Sequence, residues 1–119
     1  MAEAGLCTVW GTPVPGREKV ALDVYSDALQ YWGRLQEEGK IERFDVVVLS
    51  PTGGDVTGFI LARGTEAQID SVRRTEEYQR LLARVQLIAE HVRVADAYVD
   101  EGLAQIMSRY QDEVGHLGV

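Results

Sequence analysis

The chain has 119 residues, 45% of them hydrophobic and 26% charged, with 19 acidic against 12 basic residues and a formal net charge of -7. That length suits one compact domain, residues 1–119, burying about 65% of its unfolded surface without a metal or disulfide, and the lone cysteine, Cys7, excludes a disulfide framework and a Cys-based zinc site. The acidic balance offers no overall attraction to a phosphate backbone; with no run of about 18 apolar residues, and Glu3 where a signal peptide would carry basic residues, a reducing cytoplasmic setting with no membrane contact is expected.

Leu6, Cys7, Thr8, Val9 and Trp10, set between Gly5 and Gly11, are rich in strand formers and predict a first strand. Thr12-Pro-Val-Pro-Gly16 interrupts it, because two prolines and a glycine continue neither ladder nor helix. Over residues 17–38, Val20, Ala21, Val24, Tyr25, Ala28, Tyr31, Trp32 and Leu35 recur at helical spacing, and Gly39 suits a left-handed cap. Residues 41–50 hold the run Val46, Val47, Val48, Leu49, a strand covered on both faces. A turn at residues 51–54 joins it to a strand-like segment, residues 55–64, as an antiparallel hairpin. Thr65 with Gln68 resembles a capping box opening a second helix that runs to residue 86, with Ile69, Val72, Tyr78, Leu81, Leu82 and Val85 as its apolar stripe. Residues 92–99 make the last strand, and Leu103, Ile106, Met107, Tyr110 and Val114 mark a final amphipathic helix.

The order βαββαβ with an extra helix is α+β and ferredoxin-like: a four-stranded antiparallel sheet with helices on one face. Its strands are apolar on both sides, so something must cover the second face. A second copy of the same sheet is the economical candidate, giving a C2 homodimer that closes a barrel.

Three stretches carry a resemblance: Trp10-Gly-Thr-Pro-Val-Pro-Gly-Arg-Glu18, Ile41-Glu-Arg-Phe44 running to Pro51-Thr-Gly-Gly-Asp55, and Gly58-Phe-Ile-Leu-Ala-Arg63-Gly64. Together they resemble small bacterial proteins of the dimeric α/β-barrel superfamily over nearly the whole chain. That superfamily includes cofactor-free monooxygenases of polyketide quinones, haem-degrading monooxygenases, muconolactone isomerases, dehydratase-like proteins and stress-response barrels. The resemblance therefore implies a fold and no single chemistry.

If Ser50 pairs with Asp55, then Val48 faces Thr57, Val46 faces Phe59, Phe44 faces Leu61 and Glu42 faces Arg63. This face, with Leu6, Thr8 and Trp10 of the first strand, is expected to line the barrel interior. Thr8, Trp10, Glu42, Phe44, Thr57, Phe59 and Arg63 are the candidate substrate-binding residues. Arg63 would hold an anionic or enolate-like oxygen while Glu42 orients it; the alternative is a cross-strand ion pair of little energy, with Trp10 as ordinary core. His91, Arg63 and Asp55 are candidates for proton transfer, set against a solvated loop histidine and a turn-satisfying aspartate. With only His91 and His116 in the chain, no histidine cluster supports a metal, and no cofactor is encoded. Pro51-Thr-Gly-Gly-Asp55 lacks the Gly-Lys-Ser/Thr ending of a phosphate loop and is read as a turn. Cys7 is read as a buried small hydrophobe, and Asp96 as either a pocket residue or edge protection.

Two readings of function follow. One is a protein holding an apolar or aromatic small molecule in the barrel, with monooxygenase- or isomerase-like chemistry among its forms. The other is a non-catalytic structural or regulatory dimerisation module with a filled barrel. A cavity of about 300 Å³ or more separates them. An RNA-binding module shares the element order, but the third strand lacks the basic-Gly-aromatic signature, so no nucleic-acid partner is expected.

Overall fold

The computed structural model describes residues 2–51 and 53–118. In chain order the elements are β1 (Ala4–Trp10), α1 (Glu18–Glu37), β2 (Arg43–Val48), β3 (Gly58–Gly64), α2 (Glu66–Arg74), α3 (Glu76–Ile88), β4 (Arg93–Tyr98) and α4 (Asp100–Leu117). The strands form one antiparallel sheet in the order β2-β3-β1-β4, the expected α+β arrangement.

Local chemistry sets the helix ends. At the end of α1, Gly39 takes φ +73, Gly39 N–H donates to Gln36 O at 3.1 Å and Lys40 N–H to Leu35 O at 2.9 Å, closing the last turn. At the start of α2 the capping box is complete: Gln68 N–H donates to Thr65 Oγ1 at 3.1 Å, and Gln68 Oε1 accepts from Thr65 N–H at 2.8 Å. The single helix expected over residues 65–86 is instead two, broken at Thr75, whose ψ of 144 leaves the helical region. Thr75 Oγ1 donates to Val72 O at 2.7 Å and accepts from Tyr78 N–H at 3.3 Å, ending α2 and starting α3 with one hydroxyl. Thr75-Glu76-Glu77, an N-cap followed by acids, carries that start signal in the sequence.

The hairpin register departs from the expected one by a single residue. Val48 lies opposite Gly58, Val46 opposite Ile60 and Phe44 opposite Ala62. The connection is longer than a four-residue turn, residues 49–57, and Gly58 pins the pairing: a Cβ there would fall 2.5 Å from Val47 O and 2.8 Å from Trp10 Cζ2. Only glycine lets the Trp10 ring lie across that point. Because one step of register turns every side chain over, Phe44 and Val46 face the helices, not the barrel interior. Leu6 and Trp10 face them too, and all four pack on the core of Trp32, Leu35, Ile60, Ala62, Val72 and Leu81. The face away from the helices carries Cys7 and Val9 beside Leu61 and Phe59, with Val47 beyond, all half-buried.

α4 follows β4 and is gripped most tightly at its start. There Gly102 lies so close to the β1 entry that a Cβ would fall 1.7 Å from Glu3 O. Leu103, Met107 and Tyr110 are exposed along it, and the molecule measures 53 × 37 × 22 Å. Among the described residues, no helix is long and apolar enough to cross a membrane.

Candidate functional site

A cavity of about 320 Å³ lies between the sheet and the helices α1 and α3. The sheet supplies Thr8, Trp10 and Ile60, α1 supplies Tyr25, Ala28 and Trp32, and α3 supplies Tyr78, Leu81 and Val85. Small side chains, Thr8 below and Ala28 above, leave the space open where larger ones would fill it. Its rings meet edge to face, Trp10 with Tyr25 at 6.2 Å between centroids and Trp32 with Tyr78 at 6.1 Å. Leu22 and Val48, 70% and 60% exposed, mark the mouth together with Glu18. The loop beside the mouth is tied to the end of α3: Val14 N–H donates to Ile88 O at 2.8 Å, Glu90 N–H donates to Thr12 O at 2.9 Å, and Arg17 reaches Leu87 O.

Tyr78 is the polar group that this wall does not satisfy. It is 5% exposed, and its Oη has no hydrogen-bond partner within the protein. Burial pushes the phenol pKa up, against the smaller opposing pull of the Arg73 charge and the Thr8 hydroxyl. The Thr8 hydroxyl thus lies near enough to bias the phenol without meeting bonding geometry. The phenol is therefore neutral near pH 7, with its ring on the cavity wall and its hydroxyl packed behind that wall toward Thr8, Arg73 and Asp96. Its position follows from the helix break, since Thr75 holds the Tyr78 backbone in the first turn of α3.

The candidates from sequence divide. Thr8, Trp10 and Thr57 line this cavity, though it lies on the helix side of the sheet and not in a barrel interior. Phe44 packs into the helix-side core away from the cavity lining, and Phe59 lies on the opposite sheet face. Arg63 is also on that opposite face, where its Nε donates to Asp45 Oδ2 at 3.0 Å and its Nη1 lies 3.9 Å from Asp100 Oδ1. The cross-strand place expected for Glu42 is taken by Arg43, while Glu42 N–H donates to Arg63 O at 2.8 Å at the end of the ladder.

His91 and Asp55 come together from separate loops, Nε2 to Oδ1 3.9 Å, both well exposed. They flank Gly11, where a Cβ would meet Asp55 O and Glu90 O at 2.8 Å and His91 Cδ2 at 3.3 Å. Gly11 lines the cavity but His91 and Asp55 do not. Asp96 is held by an ion pair with Arg73 of α2, and burial raises the pKa of Cys7 on the open face. Among the described residues, no cluster of three or more His, Cys, Asp or Glu could hold a metal. Tyr78, Trp32 and Tyr25 were legible only as members of apolar stripes. A phenol in the middle of such a stripe was the one available signal.

No protein-family model and no curated protein matches the chain. Solved structures do. A dimeric ferredoxin-like protein of unknown function from a Jannaschia species is 16% identical, with a TM-score of 0.63 over 81% of this chain and 99% of its own. The hydroxynitrile lyase of Passiflora edulis is 14% identical, with a TM-score of 0.61 over 83% of this chain and 95% of its own. The fold is ferredoxin-like. A Bacteroides thetaiotaomicron protein of unknown function, described as a possible oxidoreductase, shares it at 12% identity, with a TM-score of 0.60 over 82% of this chain and 98% of its own. Such varied descriptions on one ferredoxin-like frame leave the chemistry to the cavity and its side chains.

Proposed function

We propose that this chain binds a neutral, largely apolar small molecule of aromatic size, bearing a hydrogen-bond acceptor, in the cavity beneath α1 and α3. The observation that carries the reading is the cavity itself, walled by Trp10, Tyr25, Trp32 and the Tyr78 ring. Thr8 and Thr57 offer hydroxyls along the same wall from which a carbonyl oxygen can accept. The volume of about 320 Å³ falls within the range of small-ligand sites, at its lower end, and supports this reading over the filled module. The aromatic walls suit a planar ring. Glu18 at the mouth and the absence of any lining cation among the described residues favour a neutral ligand over an anion.

The protein works, on this reading, as a homodimer joined through the open sheet faces, where Val9, Phe59 and Leu61 present an apolar surface. A catalytic form of the same reading, isomerase-like or of the cofactor-free monooxygenase type, has Glu18 as the carboxylate that lines the cavity.

A thermal-shift comparison of 2-naphthol, menadione, decanoic acid and haem tests the binding. A neutral aromatic at about 100 times its Kd adds about 2.7 kcal/mol, a Tm rise of roughly 10 °C for a chain this size. Naphthol and menadione are expected to shift Tm and decanoate to do so less. If no probe shifts Tm or alters tryptophan fluorescence at millimolar concentration, the reading falls.

A further inference from the structure

We infer that α4 is an arm that lies on the second copy of the chain, so that the dimer interface extends past the sheet onto this helix. The inference rests on the homodimer reading and adds a partner surface to it.

The two sides of α4 differ. Gly102, Gln105 and Arg109, spaced three and four apart, line the cleft toward α2 and the edge of β4, and half-buried Ile106 lies one turn from Gly102 on the same side. Leu103, Met107 and Tyr110 form a seam on another side, 49%, 48% and 65% exposed. Spacing of four and three keeps them in one line. Past the tight contact of Gly102 with Glu3, little of the chain's own body covers this seam.

The place where α4 begins decides what it meets. Asp100, its first residue, lies 3.9 Å from Arg63 Nη1, and Arg63 belongs with Asp45 to the open face of the sheet. The helix thus starts at the rim of the surface on which the second copy docks, and its seam continues that surface. The open face alone is small. Four strands at about 4.8 Å spacing and about 20 Å long give roughly 400 Å² in plan, against about 800 Å² per partner in a standard interface. A helix of 18 residues offers a stripe about 27 Å long, enough to supply much of the shortfall. α4 carries four acids, Asp100, Glu101, Asp112 and Glu113, against one arginine, Arg109, which disfavours an anionic lipid surface as its occupant.

The test pairs two changes in the full chain. Sedimentation of the wild type is expected to show a dimer at about 10 µM, and a monomer there would overturn the homodimer reading itself. In Met107→Glu with Tyr110→Glu, the dimer Kd is expected to rise about 100-fold while the menadione-induced Tm shift stays. Hydrogen exchange is expected to show α4 amides protected in the wild-type dimer and unprotected in Phe59→Asp, a variant split at the sheet. A double variant whose Kd stays within about 3-fold of wild type would overturn the arm with the dimer intact. Equal protection of α4 in the wild-type dimer and in monomeric Phe59→Asp would do the same.

Discussion

Tyr78→Phe removes one fully buried oxygen and leaves the ring in place. The cap from Thr75 binds the backbone of residue 78, and the edge contact with Trp32 at 6.1 Å uses the ring alone, so both survive the change. In a typical buried site, deleting a bonded hydroxyl costs about 0.5–1.5 kcal/mol, while an unsatisfied one itself costs about 1–3 kcal/mol. Tyr78 is of the second kind with respect to protein groups. The variant should therefore be as stable as wild type without ligand, or more stable by up to about 1 kcal/mol, a Tm rise of about 3–5 °C. Affinity for menadione, which meets the ring and not the hydroxyl, should stay within about 3-fold in the same protein. Urea unfolding without ligand and titration with it read the two effects separately. A loss of about 1 kcal/mol or more in the ligand-free variant would mean that the hydroxyl has a protein partner, and would refute the reasoning.

Thr75→Ala removes the hydroxyl that closes α2 and opens α3, and is expected to cost about 1 kcal/mol in urea unfolding. Gly58→Ala places a Cβ 2.5 Å from Val47 O; a loss of about 1–3 kcal/mol and a shift in Trp10 fluorescence are expected. Alkaline stability follows from the tyrosines. Burial raises Tyr31 and Tyr78 above their ordinary value of 10.0, so above that pH the unfolded chain loses protons first. The folded state then binds more protons, and stability, intact below about pH 10, falls as pH rises through the raised values. Unfolding free energies from about pH 8 to 11 check this, and Tyr78→Phe should flatten the decline.

Element order, the Gly39 cap and the Thr65–Gln68 box were all readable, because each is a local signal within a few residues. The hairpin register was not. Val46, Val47, Val48 and Leu49 show no alternation, so either face of β2 fits the core equally well by pattern. What decides it is Gly58 beneath Trp10, a contact between strands that are distant in sequence. The cavity escapes for a related reason. It exists because Thr8 and Ala28 are both small where a strand and a helix cross, and neither residue is unusual alone. Thr8, Trp10 and Thr57 were expected in a barrel interior and lie instead along the cavity on the helix side of the sheet. The break at Thr75 was readable in principle, but the apolar positions Val72 and Tyr78 on either side suggested one continuous helix.

The register has an arithmetic consequence. Every pair in the sheet joins two odd or two even positions, as in Thr8 with Ile60, Val46 with Ile60 and Thr8 with Val94. Even-numbered strand residues therefore all look toward the helices and the cavity, and odd-numbered ones, Cys7, Val47, Phe59 and Ala95 among them, all look away. On the proposed reading, ligand fit and self-association are written in alternate letters of the same four strands. A library restricted to even positions would retune what enters the chamber, and one restricted to odd positions would retune which copy docks, each leaving the other text largely unaltered.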